Sequence, residues 1–340
     1  MRAIGFRMRL ILLSTLGASI ITALFIHVGS PRIISALKYA NPLWILAALT
    51  LDVVFYLLKA ARWRLIIGGM ELKTSYRTVL NVTFIGYLAN MLIPFRLGEL
   101  GRAYALKRAG RVPLSLAILS IAVESLFDTM GMGFILGLSL LLMSETAALN
   151  AEVLQALKLL GCGGVILSLL LLIVPSIDAF REWMIRFAEL LPENIKSRLK
   201  PLMLNYFIRL ASLSHRGMEL MLLWTLSAAM WIIPGLCIAA SFKAFNTGMS
   251  MAKALLGSML LQISFAVPAP PGYAGTFEAY WALIYRLLGY DVVESLKVGV
   301  AYHILNLVMA TVLGGISIPC LNLNLTEAIK PRSIDVEEPS

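Results

Sequence analysis

The sequence predicts an all-α polytopic membrane protein with about six full transmembrane helices and two re-entrant helical hairpins. The composition is the first reason: 59% of the 340 residues are hydrophobic, 14% are charged and the mean hydropathy is +0.83. These values exclude a water-soluble globular domain. Long apolar runs recur along the chain. Two further apolar segments are broken by proline and glycine about half a chain length apart, and paired breaks of this kind are typical of transport sites in membranes.

Six apolar runs are near or above the length that a bilayer core requires, and we interpret them as full crossings. They occupy residues 10–28, 43–58, 114–143, 159–174, 220–241 and 298–318. The first is expected to be a retained helix rather than a signal peptide, because no convincing small-x-small cleavage site follows it. The three cysteines lie in or beside apolar segments without paired spacing, so neither a disulfide nor a zinc site is indicated.

The two broken segments, about 78–108 and 252–288, are each predicted to form a helical hairpin. Their four limbs reach roughly 16–24 Å as helices, against a hydrocarbon core of about 30 Å, so none spans the membrane comfortably. Lysine and arginine near span ends favour the cytoplasmic side. This bias predicts a protein of the inner (plasma) membrane with both termini in the cytoplasm. The first hairpin then enters from the cytoplasm and the second from outside, which is the relation that an inverted-topology repeat would produce.

The first hairpin carries a candidate anion site. Its residues are Asn90, Pro94, Arg96, Gly98, Glu99 and Arg102. Proline removes a backbone donor and stops the helix, while the helix that begins near Gly98 presents free amides and its positive dipole end beside two arginines. Glu99 lies three residues before Arg102, on the same helical face. The alternative is a structural ion pair that only holds the hairpin together.

The second hairpin combines proline and glycine with an acidic residue. Its candidate site residues are Pro270, Pro271, Gly272, Gly275 and Glu278. The glycines permit close approach of the backbone, Thr276 is a candidate N-cap, and Glu278 falls in the first turn, where a carboxylate suits the helix dipole. Helix capping without any further function is the alternative.

Glu124 and Asp128 lie one helical turn apart inside an apolar run. Carboxylates at that depth are costly, so they should face the bundle interior and find a partner or stay protonated. Arg96 or Arg102 is the expected partner. Asp52 raises the same question alone, and we favour a structural role for it. His303, with Asn306 three residues on, is expected to line the same cavity, although packing within the bundle is the plainer interpretation.

Two segments lie outside the membrane core in this interpretation. Residues 176–218 interleave charged and apolar side chains and are expected to form amphipathic helices on the cytoplasmic face. The tail, 326–340, is polar and expected to be disordered. The remaining 1–325 form a single integral-membrane domain.

The broken and charged segments resemble, in order, the transmembrane region of the lysylphosphatidylglycerol synthases, also called the flippase-like domain. The matching stretches are Ala61-Arg-Trp-Arg64, Asn90-Met-Leu-Ile-Pro94, Arg96-Leu-Gly-Glu99 with Arg102, Val123-Glu-Ser-Leu-Phe-Asp128, and 268–278. The resemblance covers essentially the whole chain. In one departure, the family usually has Glu-Arg where this chain has Glu124-Ser125, which gives more weight to Arg96 or Arg102 as the partner of Glu124.

The resemblance implies a module that, in the multiple peptide resistance factor, moves aminoacylated phosphatidylglycerol between leaflets. This chain stops before any soluble aminoacyltransferase domain, so we expect a stand-alone member. Some stand-alone relatives are linked to polyprenyl-phosphate sugar pathways or hopanoid gene clusters.

Three functions therefore compete. The first is a lipid translocase that moves an anionic or zwitterionic headgroup of a phospholipid or polyprenyl-phosphate lipid. The second is a polyprenyl-phosphate-linked glycosyltransferase or other lipid-modifying enzyme, against which the sequence has no Asp-x-Asp pair, Walker loop, nucleophile elbow or His-Glu-x-x-His motif. The third is an accessory subunit of a separate lipid synthase. We expect no cofactor, metal or nucleic-acid partner. The two alternatives for a protein partner are a second copy of the chain, in a homo-oligomer, and a separate lipid synthase.

Overall fold

The computed structural model describes residues 40–92, 98–143, 151–173, 217–267 and 269–323, together with the isolated positions 38, 182 and 186. All regular secondary structure in these residues is helical. The predicted crossing at 10–28, nearly all of the amphipathic segment 176–218 and the tail 326–340 lie outside the described residues, and so does the predicted break around Pro94 and Arg96.

The described part of the chain contains nine α-helices and one short 3-10 helix. The α-helices are α1 Pro42–Gly69, α2 Tyr76–Leu92, α3 Gly98–Gly110, α4 Leu114–Leu141, α5 Ala151–Ile173, α6 Gly217–Ala244, α7 Met251–Ser264, α8 Thr276–Leu287 and α9 Val292–Cys320. The 3-10 helix is Pro271–Tyr273, between α7 and α8. Four segments of these ranges are long and apolar enough to cross a membrane, namely Pro42–Gly69, Leu114–Leu141, Met218–Ala244 and Val292–Cys320. The all-helical membrane fold is therefore confirmed.

Local sequence signals explain where several helices begin. The Asn41 side chain accepts a hydrogen bond from the Leu43 amide at the start of α1, where Pro42 occupies the first turn. Ser250 caps α7 through the Lys253 amide, and Asp291 caps α9 through the Glu294 amide. Polar caps at these positions satisfy amides that the helix itself leaves without partners.

The two halves repeat one order of helix lengths. The helices α1 to α4 have 28, 17, 13 and 28 residues, and α6 to α9 have 28, 14, 12 and 29. Packing follows the same correspondence: α2 packs on α9 as α7 packs on α4, and α3 packs on α4 as α8 packs on α9. In both halves, two short helices therefore lie between two long ones.

Corresponding long helices of the halves run in opposite directions. The Asn41 amide at the start of α1 donates to the Ala244 carbonyl at the end of α6, at 2.8 Å. Further along, Arg62 donates to Ser227, which lies near the start of α6. Two membrane-spanning helices paired in this way cross in opposite senses, as an inverted repeat requires.

The direction of α4 relative to α1 shows how the short helices α2 and α3 between them are arranged. Trp63 of α1 donates to Ser120 of α4, and Phe55 shares a buried cluster with Ile135, so α1 and α4 are antiparallel. An even number of crossings must therefore separate them. Because α2 and α3 are roughly 25 Å and 20 Å long against a core of about 30 Å, a hairpin that enters and leaves at one face fits best.

The second pair of short helices obeys the same rule. The Tyr87 hydroxyl of α2 meets Asn306 of α9, and the Phe84 carbonyl, earlier in α2, lies beside Gly314, later in α9, so α2 and α9 are antiparallel. The helix α2 also runs antiparallel to α1, since Arg64 donates to the Thr74 carbonyl just before α2 and Tyr56 stacks on Tyr87. These pairings make α9 parallel to α1 and hence antiparallel to α6. The 3-10 helix between α7 and α8 packs on α2, so the two hairpins meet inside the bundle.

Labelling with a membrane-impermeant maleimide tests the two hairpins. We expect Ser75→Cys and Ser115→Cys, which flank the first hairpin at exposed positions, to react from the cytoplasmic face. Gly248→Cys and Arg286→Cys, at the open end of the second hairpin, should react only from the opposite face. The measurement uses intact and lysed cells in a background that lacks Cys162, Cys237 and Cys320. Reaction of Ser75→Cys and Ser115→Cys from opposite faces would show a full crossing and refute the hairpin.

Candidate functional site

A cavity of about 380 Å³ lies where the two hairpins meet the long helices. Its wall includes Glu99 and Arg102 of the first hairpin, Tyr273 and Phe277 of the second, and polar side chains of the long helices α1, α4 and α9. The broken backbone of the second hairpin therefore borders an internal space rather than lipid, which is the setting in which irregular backbone is tolerated at membrane depth.

Glu124 of α4 is the centre of an ion-pair network on one wall of the cavity. The side chain is 1% exposed, and its two oxygens face cations from two directions. Arg102 Nη2 of α3 lies 2.7 Å from Oε2, and Lys59 Nζ of α1 lies 3.1 Å from Oε1. Arg62 of α1 approaches the same Oε1 at 3.7 Å. A carboxylate this deeply buried is stable only with such compensation.

Asp128, one turn further along α4, shares two of these cations. Lys59 Nζ lies 2.8 Å from Oδ2, Arg62 donates to Oδ1, and the Trp231 indole of α6 donates to the same oxygen at 3.1 Å. Arg62 also donates to Ser227 of α6. The network thus joins α1, α4 and α6 at one level of the bundle.

Arg102 connects the first hairpin to the network. Its guanidinium donates to Glu99 and to Glu124, both at 2.7 Å, and its carbon Cζ lies 4.1 Å from the centre of the Trp63 ring. Both hydrogen bonds are charge-assisted, and the stacking is a cation–π contact. A side chain at position 86 would collide with Arg102, so Gly86 of α2 provides the space that the arginine crosses.

The two limbs of the first hairpin are held close by Asn90 and Gly98. The Asn90 amide Nδ2 donates to Glu99 Oε1 at 3.0 Å. A Cβ atom at position 98 would overlap the backbone nitrogen and the side chain of Asn90, so only glycine allows this approach. Glu99 therefore receives a hydrogen bond from each limb, one of them from Arg102.

The second hairpin turns through Pro270, Pro271 and two glycines with positive φ, Gly272 at 68° and Gly275 at 76°. Positive φ is accessible to glycine at little cost. Gly275 is the N-cap of α8, and its amide donates to Glu278 Oε2 at 2.9 Å. The prediction that Thr276 is the N-cap is wrong: Thr276 is the first helical residue, and its hydroxyl instead donates to the Tyr273 carbonyl.

His303 of α9 joins this turn to the last span. Its Nδ1 lies 2.7 Å from Glu278 Oε1, and its Nε2 lies 2.8 Å from the Gly272 carbonyl. Because a carbonyl only accepts hydrogen bonds, Nε2 carries a proton. One more proton must then lie between Nδ1 and the carboxyl oxygen, so the pair is either ionic or neutral but has no net charge. The ring also stacks on Phe277 at 4.3 Å.

The structure brings the predicted site residues into two groups. Asn90, Gly98, Glu99, Arg102, Glu124 and Asp128 form the ion-pair wall, and Pro270, Pro271, Gly272, Gly275, Glu278 and His303 form the second hairpin and its tie to α9. Asn306 lines the same cavity and accepts a hydrogen bond from the Tyr87 hydroxyl at 2.9 Å. Pro94 and Arg96 lie outside the described residues. Arg102 is the partner of Glu124, as expected, whereas Asp128 is paired with other cations.

The sequence did not identify Lys59 or Arg62 as partners of Glu124 and Asp128. The apolar run that the sequence indicates at residues 43–58 ends before both Lys59 and Arg62, whereas α1 continues to Gly69. The available signal was the pair of cations at i and i+3 within a helix, the spacing that faces Glu124 and Asp128 at i and i+4. The described residues contain no cluster of three or more His, Cys, Asp and Glu side chains suited to a metal ion.

These features define a class: a polytopic helical membrane protein with an internal cavity bordered by two broken helical pairs and a buried ion-pair network. The chain belongs to the family described as the lysylphosphatidylglycerol synthase TM region, whose model matches residues 10–314. The expected resemblance is confirmed. No solved structure matches the chain.

Several archaeal proteins are similar to the chain. A UPF0104 membrane protein of Methanothermobacter thermautotrophicus is 20% identical over 329 residues, which are 94% of this chain and 97% of that protein. A second UPF0104 membrane protein of the same organism is 26% identical over 335 residues, with 93% and 95% covered. The glycosyltransferase AglD of Haloferax volcanii is 27% identical over 140 residues, which are 41% of this chain and 22% of that protein.

Arg62→Leu is expected to destabilise the folded protein by about 3–5 kcal/mol, because it leaves Asp128 short of a cation in a buried site. Arg64→Leu is the matched control, since Arg64 is exposed and donates to the Thr74 carbonyl instead of a buried carboxylate. Unfolding in detergent, followed by tryptophan fluorescence, measures both. Equal losses of stability in the two variants would contradict a structural role for the network.

Glu278→Gln and Glu278→Leu separate capping from charge. Glutamine keeps an acceptor for the Gly275 amide, whereas leucine removes both the cap and the partner of His303. We expect the leucine variant to be less stable than the glutamine variant by about 1 kcal/mol, the usual contribution of an N-cap. Thermal unfolding midpoints provide the comparison, with the exposed Glu294→Leu as the control. A glutamine variant no more stable than the leucine variant would disprove the capping role.

Proposed function

We propose that the chain moves the polar headgroup of a lipid across the membrane through the internal cavity, while the acyl or prenyl chains stay in the hydrocarbon. The observation that carries the proposal is the ion-pair wall of the cavity at the meeting point of the two hairpins. The substrate class that we propose is an anionic or zwitterionic phospholipid or polyprenyl-phosphate lipid.

The cost of the buried charges supports a function. Each ionisable side chain near the centre of a membrane helix costs about 2.5–3.5 kcal/mol on insertion scales. Three cations and three carboxylates meet in this network among the described residues, where apolar side chains would pack at lower cost. A passage for polar groups through the cavity would explain why the protein has these six charged side chains.

Lys59 is the cation best placed to meet a headgroup. Its side chain lines the cavity and is 15% exposed. Arg102 also borders the cavity, but it and Arg62 are almost completely buried. A phosphate that enters the cavity would compete with Glu124 and Asp128 for the Lys59 ammonium. Because the carboxylates keep an arginine partner each, the lysine can change partners without leaving either of them unpaired.

We place the protein in the plasma membrane with both termini in the cytoplasm, on the distribution of basic residues described above. The hairpins then enter from opposite faces, so the cavity between them lies between the two leaflets. A lipid-synthesising enzyme or a second copy of the chain remains the proposed protein partner.

The similarity to the glycosyltransferase AglD favours a second candidate, an enzyme of lipid-linked sugar transfer. The match covers 22% of that protein, so it supports a shared membrane segment more than a shared reaction. In this candidate, a carboxylate of the network would act as the base that activates a lipid phosphate.

Proteoliposomes with fluorescent phospholipid or polyprenyl phosphate in one leaflet test the translocase. We expect Lys59→Gln and Glu124→Gln to slow exchange between leaflets by about tenfold or more, because one charge-assisted hydrogen bond contributes roughly 1.5–3 kcal/mol. Arg96→Ala should also slow it if this arginine contributes to the anion site. Arg64→Gln, at an exposed position of the same helix as Lys59, should leave the rate unchanged.

The outcomes distinguish the candidates. Equal exchange in the wild type and in the network variants would refute translocation through this cavity. Turnover of a sugar nucleotide by the purified protein, lost in Glu124→Gln, would favour the enzyme. An accessory subunit would be favoured if a lipid synthase co-purified consistently with the chain and Lys59→Gln had no effect on the activity of that synthase.

A further inference from the structure

Asp52 of α1 is a cavity carboxylate that the ion-pair network does not use. It lies two helical turns before Lys59 and lines the same cavity. Its Oδ2 atom is buried and has no hydrogen-bond partner, and no ion pair of Asp52 occurs among the described residues. A carboxylate at membrane depth without a cation has to be neutralised in another way.

The charges of the cavity wall balance one another without Asp52. Lys59, Arg62 and Arg102 are matched by Glu99, Glu124 and Asp128, each carboxylate lying within 3 Å of at least one cation. The pair Glu278 and His303 shares one proton and has no net charge. Among the described groups, Asp52 is therefore the acid for which the cavity holds no positive partner.

The other titratable groups of the cavity provide no cation that could pair with Asp52. Outside the ion-pair network, those that line the cavity with Asp52 are Tyr56 on its own helix, Tyr87 on α2, Cys237 on α6, Tyr273 between α7 and α8, and Tyr302 and His303 on α9. The tyrosines are neutral at ordinary pH, and His303 is engaged with Glu278 and Gly272. Tyr87 stacks on Tyr56 at 4.3 Å and donates to Asn306, so these rings form a fixed wall.

We propose that Asp52 is the proton-binding site of the cavity, and that lipid movement is coupled to proton movement through it. This proposal rests on the proposed function. A single carboxylate oxygen is enough to bind a proton, whereas Mg²⁺ and Ca²⁺ take about six to eight oxygen ligands. In the step, the Asp52 carboxylate takes a proton from water at the cavity and becomes a neutral carboxylic acid. It returns the proton to water at the other face when the cavity opens there.

Neutralisation of Asp52 would change the net charge of the cavity by one unit. The cavity is then neutral when the acid is protonated and negative when it is not, and a phosphate headgroup is repelled only in the second state. Proton uptake would therefore accompany entry of an anionic headgroup, and proton release would favour its exit.

Infrared difference spectroscopy tests the proton site without any lipid transport. We expect a pH titration of the purified protein to show the C=O stretch of a protonated carboxyl group, lost in Asp52→Asn and retained in Glu152→Gln, a conservative change at an exposed acid. The same band in Asp52→Asn would overturn the proposal. A wild-type band that does not change with pH would also overturn it, since Asp52 would then be a permanently protonated structural acid.

Proteoliposomes with an imposed pH gradient test the coupling. We expect the gradient to accelerate leaflet exchange in the wild type and in Glu152→Gln, while Asp52→Asn exchanges lipid at one rate with and without the gradient. A sodium gradient at equal pH should have no effect, and acceleration by sodium would assign the site to that ion instead. Absence of exchange in the wild type would refute the proposed function, and the infrared titration would still decide whether Asp52 binds a proton.

Discussion

Charge compensation inside the membrane is the constraint on which this structure depends. Glu124 lies at the centre, with Arg102 on one oxygen and Lys59 on the other, and Asp128 shares Lys59 and takes Arg62. Removal of Arg62 or Arg102 would leave a buried carboxylate short of a cation. Because the partners come from α1, α3 and α4, the same contacts that neutralise the charges also fix how these helices pack.

The two halves share an order of helices but use it differently. The first hairpin is tied to its long helices by ionic hydrogen bonds through Arg102, whereas the second is tied to α9 by Glu278, His303 and the Gly272 carbonyl. The second tie contains one shared proton and a stacked Phe277 instead of a set of paired charges. The cavity between them therefore has one strongly ionic wall and one wall of aromatic and weakly polar groups.

The chain belongs to the lysylphosphatidylglycerol synthase TM region family over residues 10–314. Similarity to the UPF0104 proteins extends over nearly the whole of each chain, while the AglD similarity is confined to a fifth of that protein. The described cations of the network are all engaged with carboxylates, and Lys59 is the most exposed of the three. In the proposed function, a headgroup would compete with the carboxylates for this lysine. Selectivity would then depend on how well a headgroup replaces Glu124 and Asp128 at that lysine.

The sequence alone determined the membrane class, the two breaks and the contacts between neighbours along a helix. Arg102 pairs with Glu99 three residues away, and Glu278 caps its own helix, because such pairs depend only on local geometry. The tertiary structure decided which cations meet Glu124 and Asp128, since Lys59 and Arg62 lie more than 60 positions earlier in the chain and apolar periodicity does not define the rotation of one spanning helix against another. It also decided that Asp52 faces the cavity without a cation, because that depends on the packing of α1 against α2, α6 and α9.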